Sequence, residues 1–234
     1  VRTPVGRGHK EKGYYKDLHP SNLLSRTYTE LVKRTGIEAG QVNDVVAGCV
    51  QQFGEQSLNI GRNAWLEAGF PIETPATTID LQCGSAQQSI SFASAMIASG
   101  IHDIVVAGGV ESMGHISFAD AAAVMGEYGW AYSPELLEKY NLVNQGISAE
   151  MIADKWDISR TELDELEVRS HARALQATEE GRFEPEKITA ETATCTLADR
   201  NARGATRPYT SALVGSGPGS FGTLTLNVNG TYSY

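Results

Sequence analysis

A chain of 234 residues is long enough to bury a sizeable core in one or two domains. Its 28 acidic residues against 19 basic ones give a formal net charge of -9, a balance that repels phosphate backbones and argues against nucleic acid as a partner. No apolar run approaches the roughly 20 residues needed to cross a bilayer, and three sparse cysteines, Cys49, Cys83 and Cys195, fit neither a disulfide framework nor a CxxC zinc site.

No charged-then-apolar leader opens the chain, so a reducing cytoplasm is the expected setting. Val1-Arg2-Thr3-Pro4 reads like the end of a strand, as in a processed form or a fragment. A Gly/Lys-rich loop follows, Gly6 to Lys16. The spacing of Leu23, Leu24, Tyr28, Leu31 and Val32 then predicts a helix over 21–35, with Gly36 at its C-cap. Val42 to Val50 is rich in valine and suits a buried strand. A second helix is expected over 57–68, stopped by Gly69 and Pro71. Thr77 to Asp80 reads as a short strand, 86–99 as a helix ended by Gly100, and Ile104 to Ala107 as an apolar strand closing on Gly108-Gly109. Alternating strands and helices imply a largely parallel α/β sheet covered on both faces.

From about Gly114 the texture changes to helices with few strand signals. A helix is expected over 148–156. Ser159-Arg160-Thr161-Glu162 is a capping box opening another helix to about Glu180, with Leu163, Leu166 and Leu175 as its buried stripe. The last stretch, 202–234, is rich in Gly, Ser and Thr, and Gly222 to Tyr232 reads as a hairpin turning at Asn229-Gly230.

The segment richest in chemistry is Asp80-Leu81-Gln82-Cys83-Gly84-Ser85-Ala86-Gln87-Gln88-Ser89. A strand runs into Cys83, glycine follows, and a helix of small residues begins. The sulfur is thereby placed at a helix N-terminus, where unpaired N–H groups and the helix dipole favour a thiolate over a thiol. Gly84 lets a substrate or backbone approach closely. Most buried cysteines are inert small hydrophobes instead, and Cys49 and Cys195 are read that way.

These residues resemble the thiolases: acetyl-CoA acetyltransferases and 3-ketoacyl-CoA thiolases. The blocks Arg2 to Gly6, Val46 to Val50, Asn59 to Arg62, Asp80 to Ser89 and Ala107 to Met113 follow the family's order. Gly146 to Glu150, Ile158 to Arg160, Arg169 to His171 and Gly181 to Phe183 continue it to about residue 190. The resemblance implies an α/β fold of thiolase-like αβαβα architecture, of which this chain carries the N-terminal half with an inserted, mostly helical loop domain and lacks the C-terminal half. Residues 1–115 would be the N-terminal α/β domain, 116–200 the loop domain and 201–234 a divergent tail. It further implies acyl transfer between thioesters, with Cys83 as the catalytic nucleophile, its backbone N–H helping to hold the oxyanion, and acyl-CoA and coenzyme A as substrates. No metal or tightly held cofactor is implied. Arg203, in Ala202 to Thr206, is a candidate contact to the nucleotide phosphates.

The departures are equally specific. The family's Gly-His-Pro histidine and Cys-Gly acid/base cysteine do not occur in this sequence, and Asn144-Gln145 stands where many members have His-Met. The five histidines (His9, His19, His102, His115 and His171) are expected to be structural or solvent-facing. Three readings follow: a thiolase segment completed by a second half, a non-catalytic module that binds acyl-CoA or pairs with another subunit, and a truncated inactive product. The resemblance also implies a homo-oligomer.

Overall fold

A computed structural model describes residues 1–188, 211–216, 225–226 and 232–233. Its contacts divide the chain into two units, Val1–Phe118 with Lys187–Tyr234, and Ala119–Glu186.

The first unit is built around a parallel sheet. Strands β1 (Asp44–Gly48) and β3 (Ile104–Gly109) lie side by side, and β2 (Ala76–Ile79) pairs with the other edge of β1. Strand β4 (Ser211–Ser216) runs antiparallel on β3, giving the order β2-β1-β3-β4. That last strand falls in a stretch whose Gly/Ser/Thr composition carries no strand signal. Two short strands, β5 (Thr225–Leu226) and β6 (Tyr232–Ser233), pair antiparallel in the region expected to form a hairpin. The expected Asn229-Gly230 turn lies outside the described residues.

Alternation along the strands splits the core into two layers. Val45, Ala47 and Val106 face one way, against Leu24, Tyr28 and Leu31 of α1 (Pro20–Thr35) and Ile60, Ala64 and Trp65 of α2 (Ile60–Glu67). Val46, Val105 and Ala107 face the other way, against Ala93 and Ile97 of α3 (Ser85–Ala98). The unit is therefore a helix–sheet–helix sandwich. Every residue of β1 is buried, as a strand covered on both faces must be.

Helix α1 is fixed at both ends. The His19 ring accepts the Ser21 N–H as N-cap, Pro20 occupies the first turn, and Gly36 closes the helix at φ 69°. Glu67 ties α2 to α1 by accepting from the Ser21 hydroxyl and, at 2.9 Å, from Asn22. The helix expected from Ser57 starts at Ile60 instead, because Leu58 and Asn59 both take left-handed φ values, 56° and 60°. Asn59 sustains that turn. Its Oδ1 accepts from the Arg62 N–H and the Thr78 hydroxyl, while its Nδ2 donates to the Ala76 carbonyl, pinning α2 to strand β2.

The second unit holds four helices: α4 (Phe118–Tyr128, beginning at the junction), α5 (Pro134–Lys139), α6 (Gln145–Trp156) and α7 (Arg160–Glu179). The capping box forms: the Ser159 hydroxyl accepts the Glu162 N–H and Glu162 accepts the Ser159 N–H at 2.8 Å. The expected buried stripe of α7 does not. Leu163, Leu166 and Leu175 are 43%, 54% and 59% exposed. Periodicity marks a face able to be covered, but burial needs a second layer, and α4 to α7 contain no buried residue. Helices α4 and α5 went unforeseen. For α5 the signal was present, Ser133 as N-cap followed by Pro134 in the first turn. Among the described residues no helix is long and apolar enough to cross a membrane.

Candidate active site

Strand β2 ends at Ile79, and the next five residues, Asp80 to Gly84, turn the chain into α3. Cys83 directly precedes the N-cap Gly84 and is exposed. The sulfur thus lies beside a helix start and open to solvent, the two conditions a thioester-accepting cysteine needs. Gln82, the residue before it, sits at φ 49°, a left-handed conformation that an L residue adopts only under constraint.

The constraint consists of hydrogen bonds inside the turn. The Gln82 N–H donates to Asp80 Oδ1 at 2.6 Å, the Gly84 N–H to the Leu81 carbonyl at 3.1 Å, and the Ser85 N–H to the Gln82 carbonyl at 3.0 Å. The Ser85 hydroxyl crosses the turn, accepting the Leu81 N–H at 2.9 Å and donating to the Gln82 carbonyl at 2.6 Å.

The helix behind the turn is seated unusually close to the sheet. A Cβ on Gly48 would come within 2.5 Å of the Ala86 nitrogen and the Ser85 carbonyl carbon. One on Gly109 would come within 2.5 Å of the Gly48 oxygen and 3.2 Å of the Ala86 Cβ. Only glycine at both strand ends permits this approach. Ser89, fully buried, then fastens α3 to β3 by a hydrogen bond from its hydroxyl to the Gly108 carbonyl at 2.9 Å.

A carboxylate braces the neighbouring strand ends. Glu111, just past β3, accepts the Val50 N–H at 2.8 Å, the Gln51 N–H at 3.3 Å and the Gln56 amide at 2.8 Å. Gln56 is itself buried and accepts the Ser112 N–H at 2.7 Å. The loops after β1 and β3 are locked together by this network. Sequence reading gave Glu111 and Gln56 no such role, because their partners lie more than 50 residues away.

The other cysteines differ sharply from Cys83. Cys49 is buried at the end of β1, and burial, with the nearby charges of Glu111 and Asp80, pushes its thiol up to about 12. It is an inert core residue. Cys195 and Arg203 lie outside the described residues. Each histidine is engaged away from Cys83. The His9 ring accepts the Glu11 and Lys12 N–H groups, His19 caps α1, and His102 stands 3.7 Å from Asp44. His115 lies between Glu55 and the Tyr15 carbonyl, and His171 pairs with Glu167 along α7. Among the described residues no cluster of His, Cys, Asp or Glu could hold a metal ion.

The same turn, with its glycine-flanked strand ends, lies inside a match to the model of the thiolase N-terminal domain that spans residues 1–202. This chain belongs to the thiolase family. Relatives agree. A steroid 3-ketoacyl-CoA thiolase of Mycobacterium tuberculosis is 42% identical over 198 residues, covering 82% of this chain and 48% of the relative. A 3-ketoacyl-CoA thiolase of Acinetobacter baumannii is 36% identical, covering 82% of this chain and 47% of the relative. One of Saccharophagus degradans is 35% identical, covering 80% and 46%. The chain thus spans about half the length of the curated relatives it matches. Its thiolase fold comprises the parallel sheet with helices on both faces, and the segment Asp80 to Ser89 around Cys83 lies wholly within the described residues.

Proposed function

We propose that this chain carries the nucleophile half of a thiolase reaction, acyl transfer between thioesters through an acyl group held on Cys83. In the first step the Cys83 thiolate attacks the carbonyl carbon of an acyl-CoA. The C–S bond to coenzyme A breaks, coenzyme A leaves as a thiolate, and the acyl group remains on Cys83 as a new thioester. Coenzyme A or the α-carbon of a second acyl-CoA resolves that thioester, returning the electron pair to the Cys83 sulfur. In the first step one thioester replaces another, so that exchange is close to neutral in free energy. Resolution by an α-carbon, which first gives up a proton to a base, instead forms a C–C bond and consumes the Cys83 thioester. The Cys83 backbone N–H, beside the first turn of α3, is suited to receive the oxyanion. The relatives' names put a 3-ketoacyl-CoA in the proposed reaction, as the product of that C–C bond formation or, in reverse, as the substrate. In that reverse direction the bond between the α- and 3-carbons breaks when Cys83 attacks the 3-keto carbon, the α-carbon then taking up a proton.

The observation that carries this reading is the placement of an exposed Cys83 between a left-handed Gln82 and the start of α3. The groups that would activate the thiol and move the substrate's α-proton have no counterpart among the five histidines, all of which are engaged elsewhere. Full turnover therefore calls for a second thiolase half beyond these residues. That same observation favours a second reading, a module that binds acyl-CoA and pairs with another subunit without turnover.

Incubation with acetyl-CoA followed by peptide mass spectrometry tests the proposal. Acetyl on Cys83, absent in Cys83→Ala, is the expected result. A chain that gains no adduct, alone or with a second thiolase half, while acetyl-CoA still raises its melting temperature, supports the module instead.

A further inference from the structure

The turn that presents Cys83 contains a buried hydroxyl bonded to the turn's own backbone. We propose that Ser85 is the positioning residue for Cys83: its hydroxyl clamps the Leu81–Gln82 turn and so holds the nucleophile at the mouth of α3. This inference rests on the reading of Cys83 as the acyl carrier and adds to it the group that sets its geometry.

Three observations meet at Ser85. The residue is buried, only 4% exposed, although Asp80 to Cys83 just before it are all exposed and Gly84 is half-buried. A small polar side chain is withdrawn from water only where its hydrogen bonds are made internally. The hydroxyl uses both of its capacities on the backbone of the turn, accepting at 2.9 Å from Leu81 and donating at 2.6 Å to Gln82. Between those two partners lies the left-handed Gln82, at φ 49°. The Gln82 carbonyl receives two hydrogen bonds, from the Ser85 hydroxyl and the Ser85 N–H, and that carbonyl belongs to the peptide bond joining Gln82 to Cys83. Fixing this peptide plane fixes the direction in which Cys83 leaves the turn.

The chemistry restricts which side chain can do this. The clamp needs one atom that is both donor and acceptor, within reach of a residue three or four positions earlier. Serine and threonine hydroxyls satisfy both conditions, whereas alanine and valine satisfy neither. Asp80 provides the outer tie, accepting the Gln82 N–H, but it is exposed and competes with water. Ser85 is the shielded tie and the one that decides. Without it Gln82 is free to leave the left-handed region, and Cys83 swings away from the helix start. Glycine at position 82 occupies that region without strain, so it should make the clamp dispensable.

The test is the second-order rate of Cys83 alkylation by iodoacetamide, read by mass spectrometry on the whole chain alongside its far-UV circular dichroism. Ser85→Ala is expected to keep its melting transition while alkylating Cys83 about fivefold more slowly, the scale of a helix-start interaction that the sulfur loses. Ser85→Thr should restore the rate and Ser85→Val should not. Adding Gln82→Gly to Ser85→Ala should recover most of it. Equal rates in the wild-type chain and Ser85→Ala, or failure of Ser85→Thr to restore the rate, would overturn the assignment. Should Ser85→Ala not fold, amide exchange of the wild-type chain decides: a slowly exchanging Leu81 N–H supports the clamp, and one exchanging at the rate of an open turn refutes it. Because alkylation needs no acyl-CoA, a chain that shows the clamp but takes no acetyl group separates failure of the acyl-transfer reading from failure of this one.

Discussion

Replacing Gly48 by alanine probes the seat of helix α3. The added Cβ would sit 2.5 Å from the Ser85 carbonyl carbon and the Ala86 nitrogen and 2.8 Å from the Ser85 oxygen. Carbon atoms in contact settle at about 3.5–4.0 Å, so the first turn of α3 has to retreat by about 1 Å. It has little freedom to do so, since Ser89 is hydrogen-bonded to Gly108, and Ala93 and Ile97 are buried against β1 and β3. Overpacking of this kind costs about 1–3 kcal/mol, and clashes with backbone rather than with a flexible side chain belong at the upper end. For a chain of this size that corresponds to a melting temperature lower by about 5–10 °C. Gly40→Ala is the control, because a Cβ there meets nothing within 4 Å, and its effect should stay within about 0.5 kcal/mol. Thermal melting by circular dichroism compares the two, and alkylation of Cys83 should slow only in Gly48→Ala. Identical melting and identical Cys83 reactivity in both variants would refute the close seating of α3 on the strand ends.

Other consequences are open to direct measurement. Burial raises the Cys49 thiol from its ordinary 9.0 to about 12, so the unfolded chain ionises first as the solution becomes alkaline. Cys49 therefore contributes no pH dependence below pH 9 and an increasing loss of stability above it, a loss complete only beyond the folded value. Urea melts at rising pH should show this slope in the wild-type chain and a shallower one in Cys49→Ala; equal slopes would contradict the buried thiol. The Tyr28 hydroxyl is buried without a hydrogen-bond partner among the described residues, and burial pushes its ionisation far up. Tyr28→Phe keeps the edge-on contact with Trp65 and should stabilise the chain by about 1 kcal/mol, whereas a clear loss of stability would show that the hydroxyl is satisfied. In the helical unit, Ser159→Ala should fray α7 and lower the ellipticity at the helix band. The Ser159 N–H and hydroxyl hold the Glu162 carboxyl below its ordinary 4.5. Wild-type helicity should therefore fall on acidification through and below that value, and a response identical to Ser159→Ala would refute the capping box.

The turn around Cys83 was legible because its signals are local. Strand residues up to Ile79, a glycine at 84 and a run of small residues after it fix a strand-to-helix handover, and that handover alone places Cys83 beside a helix start. Helix α1 was legible for the same reason, its apolar spacing and its Gly36 stop lying within one segment. The start of α2 was misplaced by three residues because the left-handed turn at Leu58 and Asn59 is sustained from outside, by Thr78 and Ala76 of β2. Ser85 stood in plain view in the motif, yet its role depends on a backbone bend that no periodicity encodes.

By itself, then, the sequence determined the alternation of elements, the two-faced sheet and the position of Cys83 beside a helix start. Hydrophobic spacing and helix-stop residues act over a few positions and need no distant partner. Only the tertiary structure decided that Cys83 is open to solvent, that Gly48 is required by a close helix approach and Gly109 by the Gly48 carbonyl beside it, and that Glu111 braces two loops. The glycine contacts with the helix start and the neighbouring strand end, and the Glu111 bonds to the loop after β1, join atoms more than 35 positions apart, and distance along the chain carries no record of proximity in space.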